Sequence, residues 1–469
     1  MSDYEAVIGL EVHIELHTKR KIFCFCEIKE DPAPNTQTCE VCTSMPGTLP
    51  VMNREVVEFA VKAGLAVGGT INHMSQMDRK NYFYPDLPKA YQISQNEHPI
   101  VSGGKVDIET EAGQKTIRLT RIHMEEDAGK LVHIEGEGTL VDCNRAGVPL
   151  IEIVSEPDIR SAEEAIAFLK KLRAIMVYTG ITLARMQEGE MRCDVNLSVR
   201  KKGDKTLGTR TEMKNINSFA FVGKAIEGEF KRQVDVLEAG GTIIQETRRF
   251  DDKTGQSTSM RTKEDADDYR YFPDPDLVPI RLEDKEIEAL KSEIPELPDA
   301  RKARYIKDFD ISAYDAERLT DERDMADYFE KAAKATTAPK TIANILISDM
   351  PNLQKDHPLP DPVKLAELAD LQADGEINSS TAKKVLSALL ETGVSPRQYV
   401  AEHDLLQIND EATLLPFVLE VLKERASVAE DYKAGKKKAL QSLIGMVMQK
   451  TKGRANPVLI RTLLEDRLK

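Results

Sequence analysis

The hydrophobic pattern of the chain changes once, at the Pro-marked stretch Ile294-Pro295-Glu296-Leu297-Pro298, and that change limits the fold more than any single motif does. Before it, short period-two segments are broken by Gly, Pro and Asn. Lys105-Val106-Asp107-Ile108-Glu109 and Thr116-Ile117-Arg118-Leu119-Thr120 read as strands, with Ser102-Gly103-Gly104 as the preceding turn. At least one long helix is expected in this half: Ser161 and Glu164 form a capping box, apolar residues recur at Ala165, Leu169, Leu172 and Met176, and Gly180 stops it. After the change, strand signals nearly vanish. Amphipathic helices are expected from Asp321 to Ala333, from Ser379 to Leu390 and from Glu411 to Leu422. A second connector, Asp356-His357-Pro358-Leu359-Pro360-Asp361-Pro362, divides the helical half, and a break near Asn409-Asp410 precedes a basic tail. At 469 residues the chain is too long for one core. The expected class is α+β multidomain: a mixed α/β domain over residues 1–292, an all-α helical domain over 293–407 and a small α-helical tail domain over 408–469.

Charge is distributed unevenly along this frame. The net charge of −14 argues against a protein that coats nucleic acid non-specifically, because such affinity comes from phosphate neutralisation by Lys and Arg. Between Glu430 and Lys469, however, ten Lys or Arg face four Asp or Glu, a local +6. That excess suggests an anionic partner for one end; a solvated helical face is the plainer alternative. No apolar run approaches the roughly 20 residues that span a bilayer, so no membrane association is expected. The acidic N-terminus resembles neither a signal peptide nor a transit peptide, and the expected location is cytoplasmic.

The cysteines carry the sharpest chemical signal. Cys24 and Cys26 precede Cys39 and Cys42, a C-x-C followed twelve residues later by C-x2-C, with Pro32, Pro34 and Asn35 turning the chain between them. Four thiolates from two such knuckles can surround a tetrahedral Zn²⁺, although the first is one residue short of the common spacing. A filled thiolate shell makes the metal structural. Carboxylates and imidazoles are more scattered: Glu11-Val12-His13, His123-Met124-Glu125-Glu126-Asp127, Glu152, Asp194 with Asn196, and Glu212 with Lys214. If Glu11 to Leu16 is a strand, Glu11, His13 and Glu15 share one face. Hard oxygen donors with an occasional imidazole suit Mg²⁺ or Mn²⁺. Taken singly, Glu125 to Asp127 also reads as a solvated loop, and His13 as a satisfied core histidine. Glu152 is different, because Val148-Pro149-Leu150-Ile151-Glu152-Ile153-Val154 reads as a buried strand, where a carboxylate needs a partner or a metal.

No G-x4-G-K-[ST] loop, G-x-G-x-x-G or G-x-S-x-G is present. Long segments do match in order. Ile8-Gly9-Leu10-Glu11-Val12-His13, Asp78-Arg79-Lys80-Asn81-Tyr82-Phe83-Tyr84-Pro85-Asp86, His123 to Lys130 and Asn144 to Asp158 resemble signatures of the B subunit of the aspartyl/glutamyl-tRNA amidotransferases. So do Arg192-Cys193-Asp194-Val195-Asn196, Lys214-Asn215-Ile216-Asn217-Ser218 and Asp268-Tyr269-Arg270-Tyr271-Phe272-Pro273. Gln187, Glu190-Met191 and Cys143 depart from the pattern.

The resemblance implies a heterotrimer in which the chain is joined by an amidase (glutaminase) subunit, plus a small third subunit. In it, this chain would hold Glu-tRNA(Gln) or Asp-tRNA(Asn), use ATP and Mg²⁺ in its cradle domain to phosphorylate the side-chain carboxylate, and receive ammonia that displaces the phosphate. It implies His13, Glu125 and Glu152 as Mg²⁺ ligands, with Glu11 and Glu212 near a second metal or the ammonia route. Glu11, Glu125, Glu152 and Glu212 are thus the expected catalytic carboxylates, and Lys80, Asn81, Tyr82 and Tyr84 line the pocket for the terminal aminoacyl-adenosine, where aromatic stacking is expected. Two rivals stay open: a non-catalytic RNA-binding scaffold with a zinc knuckle, and a free-standing aminoacyl-tRNA synthetase, for which no adenylate-forming signature is found.

Overall fold

The computed structural model describes residues 3–468, apart from residues 137, 217, 252–255, 263–268 and 354–356. Asn217 and Asp268 of the motifs above, and Asp356 of the second connector, therefore lie outside the described residues. The chain forms two compact units, Met1–Leu297 and Pro298–Lys469.

The first unit is built on one large sheet. Its strands are β1 (Tyr4–Glu15), β3 (Gly113–Glu126), β4 (Pro149–Ser155), β5 (Met191–Lys201), β6 (Thr211–Ile216), β7 (Glu246–Asp251) and β8 (Gln256–Thr262). The spatial order is β8-β7-β6-β5-β1-β4-β3, continued by Val101–Ser102 and Thr70–Ile71, with Lys105–Thr110 pairing β3. All neighbours are antiparallel except β6 and β7. A smaller three-stranded sheet carries β2 (Asp78–Asn81) between Tyr91–Ser94 and Phe272–Pro273.

β1 shows why the sheet has two unlike faces. Ile8, Leu10, Val12 and Ile14 are buried, whereas Gly9, Glu11, His13 and Glu15 alternate with them and remain partly exposed. The apolar face packs beneath three helices, α1 (Arg54–Ala66), α2 (Ala162–Thr179) and α3 (Phe219–Glu238), in one continuous core. The expected long helix is α2: Ser161 Oγ accepts from the Glu164 amide at 3.1 Å, and Gly180 ends it at φ +76°. Asn53 and Ser218 cap the other two helices. The opposite face of the sheet is left for polar side chains.

The second unit is helical, and among its described residues the only β pairing is an isolated bridge between Ile408 and Ala455. The expected helices occur as Ser379–Thr392 and Glu411–Glu424. The third begins later than expected, as Arg323–Ala333, because Asp321 closes the preceding helix Ala313–Thr320 and Glu322 takes the cap. Leu414, Val418, Val421, Leu443, Val447, Ile460 and Leu464 form a separate apolar cluster at the C-terminal end. At Asn409-Asp410 a helix starts, capped by the Asp410 carboxylate, which accepts from the Thr413 amide at 2.7 Å.

Candidate functional site

Antiparallel register gathers the dispersed acids. His13 of β1 lies directly opposite Glu152 of β4, and Glu152 lies directly opposite His123 of β3. Glu125 is two residues along from His123 and so points to the same side. His13 Nε2 is 3.3 Å from Glu125 Oε1 and 3.4 Å from Glu152 Oε2. His123 Nε2 is 3.3 Å from Glu152 Oε2, and Ser94 Oγ donates to Glu125 at 3.4 Å. Glu125, Glu126 and Asp127 are buried, so the solvated-loop alternative for that segment is wrong: the two glutamates close β3 and Asp127 follows directly.

These charges set one another. Burial would lower the His13 pKa, but the Glu152 and Glu125 carboxylates outweigh it and hold the imidazole well above its usual range. Burial would likewise raise both carboxyls, yet His123 and His13 keep Glu152 well below the ordinary carboxylate range, and His13 lowers Glu125. The ligand atoms of His13, Glu125 and Glu152 lie within 4.8 Å of one another. An ion at the centre of a triangle with such sides sits at most about 2.8 Å from each corner, and small side-chain movements close that to the roughly 2.1 Å of a Mg²⁺–O bond.

A second group lies one register step along the same face. Glu11 is opposite Asp194 of β5, Asn196 is opposite Glu212 of β6, and ligand atoms of Glu11, Asp194 and Glu212 also lie within 4.8 Å of one another. Lys214 is 2.8 Å from Asp194 and 3.2 Å from Glu212, and these two acids push its pKa up against the effect of burial. Asn196 donates to Glu11 at 2.8 Å, and Thr247 donates to Glu212 at 3.1 Å. The four glutamates thus divide into two clusters. His123 and Asp194 stand among the scattered donors of the sequence but outside the implied ligand set; the alternation Arg192-Cys193-Asp194-Val195-Asn196, with a buried Cys193 between two polar neighbours, is the signal that places Asp194 on the polar face. Glu15, next along β1, is pushed up to about 7 by burial and by Asp127, against the opposing pull of Arg192 and Arg145.

β2 brings Lys80 beside the first group. Burial lowers its pKa, but Tyr271, Glu125 and Glu152 raise it further and keep it charged. Its Nζ lies 4.8 Å from the Tyr269 ring centre and 5.9 Å from that of Tyr82, and the Tyr82 and Tyr269 rings meet edge to face at 6.1 Å. Asn81 spends its amide locally, donating to the Arg270 carbonyl at 2.9 Å. Tyr84 does not join this aromatic group in the chain alone; it is 58% exposed and follows Phe83 at 87%.

The knuckle residues come together beyond the Glu15 end of β1, where Cys24 and Cys42 line one cavity with Glu126 and Gly147. All six cysteines are free thiols, and Cys24, Cys26, Cys39 and Cys42 each offer a sulfur within 4.8 Å of the others. The Cys39 and Cys42 sulfurs are 4.0 Å apart, close to the roughly 3.8 Å edge of a tetrahedron with 2.3 Å Zn–S arms. A hydrogen bond from Cys24, with the Lys21 ammonium at 3.6 Å, lowers the pKa of the Cys42 thiol against the effect of burial. The donor set fits zinc.

Comparison with known proteins agrees with this layout. A family model described as the GatB/GatE catalytic domain matches residues 6–288, and one described as the GatB domain matches residues 327–468. The aspartyl/glutamyl-tRNA(Asn/Gln) amidotransferase B subunit of Agathobacter rectalis is 52% identical over 475 residues, covering 100% of both chains. The proteins of the same name from Caldanaerobacter subterraneus subsp. tengcongensis and Geotalea daltonii are 52% and 50% identical, each covering 99% of both chains.

Proposed function

The chain belongs to the family of aspartyl/glutamyl-tRNA(Asn/Gln) amidotransferase B subunits, and on that premise we infer that the polar face of its large sheet is where the amino-acid carboxylate is activated. Its activity is that of an ATP-dependent ligase component in the formation of Asn-tRNA and Gln-tRNA. The observation that carries the siting is the convergence of His13, Glu125 and Glu152 from three strands onto one point of that face.

A side-chain carboxylate is a poor acyl donor until one of its oxygens can leave as phosphate. His13, Glu125 and Glu152 would hold Mg²⁺, which when bound neutralises charge building on the transferred phosphoryl oxygens. His123 orients Glu152 through its 3.3 Å contact, so the carboxylate is fixed before any ligand arrives. Glu11 and Glu212, joined by Asp194, offer a second cation site or a polar path for ammonia; the Lys214 ammonium, 2.8 Å from Asp194 and 3.2 Å from Glu212, offsets part of their charge. Lys80 faces the first group with a permanent positive charge and can steer the anionic substrate, while Tyr82 gives the terminal adenosine a surface to stack on. Asn81 acts through the backbone it fixes, and the exposed Tyr84 is available to the incoming acceptor end.

The family name implies an enzyme of several chains. In this reading the N-terminal cradle works with a glutaminase (amidase) subunit, plus a small third subunit; the helical region from 293 to 407 supports the tRNA, and the tail from 408 to 469 adds a cationic contact to it. Glu-tRNA(Gln) and Asp-tRNA(Asn) are the substrates considered. No helix among the described residues is long and apolar enough to cross a membrane, which is compatible with work in the cytoplasm.

The test is to purify the chain with its partners and follow each misacylated tRNA in turn. Amidation that needs ATP and Mg²⁺, with ADP formed only when misacylated tRNA is present, supports the reading. Amidation that proceeds without ATP, or with a divalent chelator in excess, overturns it.

A further inference from the structure

Lys21 is the only buried lysine among the described residues, with 0% of its surface exposed. An ammonium taken out of water is costly unless an opposite charge faces it. Elsewhere in the first unit such charges meet carboxylates: Lys89 lies 2.6 Å from Glu126, and Lys214 is shared between Asp194 and Glu212. Lys21 meets a sulfur instead. Its Nζ donates to Cys42 Sγ at 3.6 Å and to the Cys143 carbonyl at 3.3 Å, and no carboxylate is paired with it among the described residues.

The local chain holds the lysine head in that place. The Lys21 amide donates to the Cys26 carbonyl at 3.1 Å, closing a turn over Cys24 and Cys26, and the Ile22 amide donates to the Gly147 carbonyl at 3.0 Å. Gly147, whose φ of +84° favours glycine, lays its backbone against both the stem and the second knuckle: a Cβ there would come 3.6 Å from Lys21 Cδ and 3.7 Å from Cys42 Cβ. The Cys39 amide also donates to Cys42 Sγ, at 3.2 Å. Two N–H donors from within the chain therefore converge on one of the four sulfurs.

Zn²⁺ with four thiolates is a dianion, and here two of the four sulfurs belong to buried residues, Cys24 and Cys42. Such a centre needs a counter-charge as much as the ammonium does. We propose that Lys21 is the internal counter-cation of the four-cysteine zinc centre, acting through the Cys42 sulfur to offset part of the charge that the thiolates bring together. Thiols give up protons as the ion enters, so the centre becomes more negative on loading and a fixed cation beside it favours the loaded state. This role rests on the zinc reading of the four cysteines and is separate from the carboxylate-activation chemistry.

Lys21→Met in the full-length chain, purified with its partners, tests it, because methionine fills most of the stem's space and carries no charge. In competition with a zinc chelator of known affinity, the variant should hold the ion about 10- to 100-fold more weakly than the unaltered protein, the usual effect of losing a partner just outside the ligand shell. Lys21→Arg keeps the charge and should recover most of the loss. With Co²⁺ in place of zinc, the sulfur-to-metal charge-transfer bands should move to lower energy in Lys21→Met, where the Cys42 sulfur no longer faces a cation, and stay near their original position in Lys21→Arg. Lys21→Gln, shorter and uncharged, decides the matter if the methionine variant fails to assemble. Zinc held as tightly without the charge, cobalt bands that do not move, or a loss that Lys21→Arg shares in full overturns the proposal. The two ideas fail differently: if the unaltered, reduced protein binds no zinc, the reading of the cysteines is wrong, whereas if it binds one ion that Lys21→Met retains equally well, only the role of Lys21 is wrong.

Discussion

Replacing Glu152 by Gln keeps the size of the side chain and removes one of two negative charges from the first cluster. Two unit charges 3.4 Å apart, the His13–Glu152 separation, attract by about 5 kcal/mol at an effective dielectric of 20. Desolvation of the pair cancels much of that, leaving a net of about 1.5–3 kcal/mol for a charge-assisted hydrogen bond. His13 is not orphaned by the change, because Glu125 stays 3.3 Å away. Stability should therefore fall by no more than about 3 kcal/mol, within what a domain with about 5–15 kcal/mol in reserve survives. The effect on activation should be larger in consequence, because an amide cannot supply the charge that retains a divalent cation. A loss of at least about 100-fold in acyl-phosphate formation is expected, about 2.7 kcal/mol of barrier. The assay is tRNA-dependent ADP release by the assembled complex, with glutamine hydrolysis and tRNA binding measured on the same preparation; both should persist. A variant that assembles, binds tRNA and still forms acyl phosphate at the wild-type rate would refute the reasoning.

Cys42→Ser should reduce zinc from one ion per chain to substoichiometric levels in freshly purified, reduced protein and loosen the segment between residues 20 and 50; elemental analysis of wild type showing no zinc sinks the assignment. Lys437→Ala with Lys438→Ala, both exposed, should flatten the slope of log K for tRNA against log salt by up to about 2 if each lysine meets a phosphate, and an unaltered slope would give the tail another role. Burial works to raise the Glu229 carboxyl, but hydrogen bonds from Arg232, Gln233 and Thr211 hold it below its usual value. Its stabilisation is present above the unfolded pKa of about 4.3 and is lost as pH falls through the folded one, so Glu229→Gln should lower Tm at pH 7 and flatten the fall in Tm below about pH 4.5; a parallel shift at every pH would contradict this.

How much of this is visible in the chain depends on whether the determining interaction is local. The helix from Ala162 to Thr179 can be read because Ser161, Glu164 and Gly180 act within a turn of its ends, and the knuckles because their spacing is itself the geometry. The start of the helix at Arg323 differs from expectation because Asp321 has good helical company on both sides, and only packing decides which helix it closes. The two acidic clusters are a different case. Period two says that Glu11 and His13 share a face of β1, but not which residues of other strands lie opposite. That is fixed by register between strands far apart in the chain, 139 residues for His13 and Glu152 and 29 for Glu152 and His123, and a slip of one would turn Glu152 and His123 to the apolar side. The register is held by the apolar alternation of Ile8, Leu10, Val12 and Ile14, so the residues that align the charged cluster are the hydrophobic ones on the other side of the strand. Conservative changes among those four should therefore weaken activation only when they shift the strand, whereas the same volume lost at Leu464 in the separate C-terminal core should loosen the tail and weaken tRNA binding while leaving carboxylate activation at saturating tRNA unchanged.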